Sequence, residues 1–83
     1  MQDIADALAA LKADGLALGS AWKRAHELAQ DHEGVQLYDR LHALLHRIEG
    51  DEPNAAYWYR RAGEPVYTGS IADEVELIIE RCQ

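Results

Sequence analysis

The sequence of 83 residues predicts an all-α protein, a compact bundle of about five short helices. Three observations carry this prediction. Apolar residues recur at helical spacing in each stretch between glycines, and residues that cap helices stand where those stretches begin. No stretch alternates as a strand does, since Val66-Tyr67-Thr68 is too short to form one. Neither a composition shift nor a repeat marks a boundary, so residues 1–83 are read as a single helical domain.

The first helix runs from Asp3 to Ala13, with Ile4, Ala7, Leu8 and Leu11 on one face and Gly15 after its end. Leu16 to Gly19 connects it to a second helix, for which Ser20 is a suitable N-cap. That helix reaches about Glu33, where Gly34 takes the left-handed conformation that closes many helices. A third helix starts near Val35 and carries Leu37, Tyr38, Leu41, Leu44, Leu45 and Ile48. At roughly 100° per residue these six cover an arc of about 120°, a stripe suited to burial. Gly50 stops it. Asp51 caps the fourth helix, and Pro53 stands in its first turn, where a missing N–H costs nothing. Ala55, Trp58, Tyr59 and Ala62 form its inner face before Gly63 and Pro65 end it. Ser70 to Asp73 fits a capping box for the last helix, whose apolar stripe is Ile71, Val75, Ile78, Ile79 and Cys82.

Composition narrows the function classes. Of the apolar residues 14 are Ala, only 18 are Leu, Ile or Val, and Phe is absent, so the core is thin. The bulky residues collect in the middle: both Trp and three of the four Tyr lie between Trp22 and Tyr59. No apolar run approaches the length of a membrane span. A single Cys, Cys82, excludes a disulfide framework within the chain and a cysteine-rich zinc site. A net charge of −7 is a poor match for nucleic acid. No charged-then-apolar leader opens the chain, and the expected location is the cytoplasm. The acids of the last helix read as a solvated outer face, since negative charge suits its first turn.

All four His lie between positions 26 and 46. His42 and His46 are one turn apart on the third helix, and Asp39 and Glu49 extend their stripe beside the apolar face. His26 flanks the apolar face of the second helix, while His32 falls within it. If these two helices pack antiparallel, His26 approaches His42 or His46. His26, His42 and His46 are therefore the candidate metal ligands, a divalent ion being the cofactor in question. The spacing is not specific, because His42-Ala-Leu-Leu-His46 lacks the Glu of the H-E-x-x-H zinc-protease pattern. The simpler alternative makes these His structural, bonded to carboxylates or backbone groups. No nucleophile stands beside a base and no glycine-rich loop follows a strand, so catalysis is left open.

The densest segment is Glu49 to Gly63. Its structural reading is a glycine stop, an aspartate cap and a short helix with an aromatic inner face. Its functional reading is an aromatic cluster beside Arg60 and Arg61 that stacks on or pairs with an anionic or planar ligand, with Tyr57 outward as a contact. The candidate ligand-binding residues are thus His26, Glu27, His42, His46, Glu49, Asp51, Asn54, Trp58 and Arg60.

From Gly34 to Gly63 the pattern resembles one helical hairpin of the Sel1-like and tetratricopeptide repeat class, carried by Leu41 to Leu45, Gly50-Asp51 and Ala56 to Ala62. That resemblance implies a peptide-binding or scaffolding hairpin, though a solenoid requires tandem copies and only one is present. The stretch from Trp22 to Gly63 is also similar to a family of small bacterial and fungal helical proteins. The similarity lies in Ala25-His26-Glu27, in His42 through Asp51, and in Asn54 through Gly63. It implies a shared polar site without implying its chemistry.

Two functions from different classes are therefore expected. The first is a small interaction module, self-associating or docking a protein partner to cover a thin core. The second is a small-ligand or metal-binding protein with its site between the second and fourth helices.

Overall fold

The computed structural model describes all 83 residues and contains five helices, α1 (Gln2–Ala13), α2 (Ser20–Asp31), α3 (Gln36–Glu49), α4 (Glu52–Arg61) and α5 (Ile71–Arg81). The all-α prediction holds, and no helix is long and apolar enough to cross a membrane. The middle helix is the hub. α3 packs against α4, α2 and α5, and α1 closes the bundle by lying against α2 and α5.

Two apolar clusters result. The larger joins Ile4, Leu8 and Leu11 of α1 to Leu41, Leu44 and Leu45 of α3, with Val75 and Ile78 from α5. Ala21, Ala25 and Ala29 supply the contribution of α2, and their small side chains let its backbone approach α3 closely. The smaller cluster, Ala43, Ala55, Trp58 and Tyr59, lies between α3 and α4. The alanine content that makes the core thin is therefore what brings α2 and α3 near enough for their polar side chains to meet.

Most helix ends follow the sequence. The Asp51 carboxylate accepts from the Asn54 N–H at 3.2 Å, and Ser70 Oγ accepts from the Asp73 N–H at 3.0 Å. Gly50 has φ +85°, and its N–H donates to the Arg47 carbonyl at 3.0 Å while that of Asp51 reaches His46 O at 2.9 Å. An alanine at Gly50 pays the left-handed penalty without meeting any neighbour, so Gly50→Ala is expected to cost roughly 1–2 kcal/mol. Urea denaturation checks this, as a lower midpoint with an unchanged slope.

Two ends differ. Ser20 is the first helical residue of α2 rather than its cap; Gly19 takes that place in extended conformation, without a side-chain hydrogen bond. The carboxylate of the exposed Asp14 lies 2.9 Å from where a Cβ at residue 19 would stand. α2 stops at Asp31 instead of Glu33, with His32 as its C-cap and Gly34 left-handed two residues later.

The solvated outer face expected of α5 needs correcting at one residue. Glu74 is fully buried. It accepts from Arg40 Nε at 3.1 Å, from Arg47 Nη1 at 2.6 Å and from the Tyr59 hydroxyl at 2.5 Å. Arg40 also reaches Glu64, which Arg81 holds from the other side at 2.7 Å, and Arg47 Nη2 donates to Gly69 O at 2.8 Å. The arginines hold the Glu64 carboxyl below its ordinary pKa in spite of its burial. This network binds α3, α4, α5 and the connection at residues 62–70 into one unit. A charge this deep is tolerable only because each of its oxygens is paired.

Candidate metal centre

The site is built from two helices and walled by a third. On α2, Trp22 and His26 are one turn apart and stack with ring centroids 4.9 Å apart, 13° from parallel. Trp22 Nε1 donates to Leu45 O at 2.9 Å, which fixes α2 against α3 and sets the position of His26. On α3, His42 and His46 also stand one turn apart, with centroids 4.9 Å apart. The His26 ring meets both edge-on, at 4.7 Å from His42 and 5.4 Å from His46. Trp58 of α4 covers His42 at 3.8 Å and 10°. One nitrogen from each of the three imidazoles lies within 4.8 Å of the others.

Each ring has a distinct environment. The Nδ1 of His46 is 2.9 Å from Glu49 Oε1, so it donates to the carboxylate and leaves Nε2 with the free lone pair. The Nδ1 of His42 is buried without any hydrogen-bond partner. Desolvation, reinforced by His26 and His46, pushes the pKa of His42 down to about 4. Burial and the neighbouring His46 lower that of His26 as well. Both rings are accordingly neutral at pH 7, the state a metal ligand requires.

His42 and His46 were expected beside the apolar face, but only 3% and 7% of their surfaces are exposed. The packing of α2 and α4 over α3 closes that flank. His26 is half-buried. Arranged this way, three imidazoles with nitrogens within 4.8 Å of one another form a donor set of the kind a borderline divalent ion takes. The donor set holds no thiolate, since Cys82 lies at the end of α5 among the larger apolar cluster. A second ligand set overlaps the first: donor atoms of His46, Glu49 and Asp51 also lie within 4.8 Å of one another.

The remaining candidates fall outside the triad. Glu27 is exposed on α2 next to His26 in sequence. Asn54 is exposed, and its side-chain amide donates to Asp51 at 3.4 Å as part of the α4 cap. Arg60 is exposed, with its guanidinium 5.9 Å from the Tyr57 ring, and so does not pair with a ligand at the triad. Trp58 is stacked on His42 and walls the triad on the α4 side. His32 is exposed rather than on an apolar face, because α2 ends before it; it stacks on Tyr38 at 4.2 Å, apart from the other three. Trp22 was not among the candidates, although its i, i+4 spacing to His26 already placed both on one face.

Two cavities, of about 290 and 340 Å³, lie beneath the connection between α4 and α5. None of the triad lines them, and their arginines already serve Glu64 and Glu74. The three imidazoles thus meet away from both cavities, under an aromatic wall. Comparison with protein-family models, curated proteins and solved structures finds no match to this chain.

Proposed function

We propose that this protein binds one divalent transition-metal ion, with Zn²⁺ the best fit, through His26, His42 and His46. The observation that carries the proposal is the meeting of three imidazoles from two helices, one of them with a buried, unpartnered Nδ1. A buried polar atom without a partner costs on the order of 1–3 kcal/mol, and an ion brought into the cluster gives such a ring a use. Glu49 supplies the carboxylate partner that metal-bound His commonly has, orienting the His46 ring. Trp22 and Trp58 limit how far the His26 and His42 rings can turn. Three protein ligands leave a fourth position for water or a small ligand.

The interaction-module alternative has less behind it. The exposed large apolar residues Met1, Leu18, Val35, Tyr57 and Val66 fall on five different segments. No helix contributes more than one of them.

Thermal unfolding of tag-free protein tests the proposal. Zn²⁺ is expected to raise the midpoint saturably at one ion per chain, equivalent to about 4 kcal/mol at a thousandfold excess over Kd. Mg²⁺, which prefers oxygen ligands, is expected to do nothing. A Zn²⁺ response that never saturates, or one that Mg²⁺ matches, rules the site out.

A further inference from the structure

The triad poses a problem of access. His42 and His46 are buried, Trp58 lies over one ring and Trp22 over another. His26 is half-buried, but His46 alone of the three also belongs to a second, acidic set, in which the Glu49 side chain is 38% exposed and Asp51 is half-buried. His46 thus belongs to both ligand sets, and its Nδ1 faces Glu49, which with Asp51 completes the outer one.

We propose that a divalent cation enters through the outer set, held first by His46 Nδ1, Glu49 and Asp51, and is then passed to His26, His42 and His46 Nε2. This rests on the metal-binding reading above. The two sets are alternatives, because a neutral imidazole carries one proton. That proton sits on Nε2 while Nδ1 holds the cation, and on Nδ1, donated to Glu49, once Nε2 holds it. The carboxylates replace water on the arriving ion without releasing it to bulk solvent, and the net charge of −7 favours its arrival. Asp51 can serve while capping α4, because each carboxylate oxygen accepts more than the one bond it makes to Asn54.

Asp51→Asn separates the two roles, since Asn caps helices as well as Asp does but lacks the charge. In stopped-flow experiments with Zn²⁺, the variant is expected to slow both uptake and chelator-driven release by about tenfold, with Kd unchanged within about twofold. Asp51→Ser, also a capping residue, is expected to behave alike. An unchanged uptake rate overturns the proposal, as does a weakened Kd with release either faster, the signature of an ordinary ligand, or unchanged, that of general attraction. If the unaltered protein takes up Zn²⁺ and the variant is no slower, the entry route alone fails. If the unaltered protein takes up none, the metal-binding reading fails with it.

Discussion

Glu74→Ala is expected to destabilise the protein by about 3–5 kcal/mol, because it strands two arginines in the interior without their common counter-charge. A domain of this size has a total stability near the lower end of about 5–15 kcal/mol, so the variant is expected to be largely unfolded at modest denaturant. The comparison that makes this diagnostic lies on the same helix. Glu76, two residues on, pairs with Lys12 at 2.7 Å, but both side chains are about half exposed. Its removal is expected to cost well under 1 kcal/mol, because water screens and replaces such a pair. Equilibrium urea unfolding of the two variants side by side gives the result. Equal effects would mean that the Arg40–Glu74–Arg47 network contributes no more than a surface contact.

His42→Phe is expected to lower Zn²⁺ affinity on the order of a hundredfold or more, since losing a ligand costs at least as much as losing a partner of a ligand. The stacked ring over Trp58 is retained in shape. The same substitution has a second readout that needs no metal. The unfolded chain protonates His42 near pH 6.5, whereas the folded chain resists until about pH 4. Between these values the unfolded state binds more protons, so stability falls as pH drops through that window, by on the order of 2 kcal/mol. His26, lowered for the same reason, adds to the slope. In His42→Phe the loss over this window is expected to shrink to what His26 and the carboxylates contribute. Chemical denaturation at pH 7 and pH 4.5, with a chelator present, measures it. Equal acid sensitivity in the two proteins would mean that His42 is no more desolvated when folded than when unfolded.

The sequence was most legible where local rules act alone. Gly50, Asp51, Pro53 and Ser70 set helix boundaries through conformations and caps that depend on a few neighbouring residues, and the structure keeps all of them. Ser20 is the exception: it stands one residue inside the helix it was expected to cap, with Gly19 as the cap and no side-chain hydrogen bond there. The approach of His26 to His42 and His46 could be anticipated from helical flank positions, given antiparallel packing. Burial of these rings could not, because it depends on α4 laying Trp58 across His42. Glu74 was hidden altogether. On a helix that is acidic throughout, a buried carboxylate looks like its solvated neighbours, and only the Arg40 and Arg47 side chains, some thirty residues away, single it out.

From Tyr38 to His46 every residue of α3 is buried, whatever its chemistry. Most helices of a small protein have a side turned to water, along which sequence can drift at little cost. α3 lacks one over these nine positions, for leucines seat against α1 and α2, Arg40 meets Glu74, and imidazoles meet His26 and Trp58. Substitution there finds no neutral direction. A change at any of these nine positions is therefore expected to need a matching change in the partners that surround it, whereas Glu49, beyond them on the same helix, faces water.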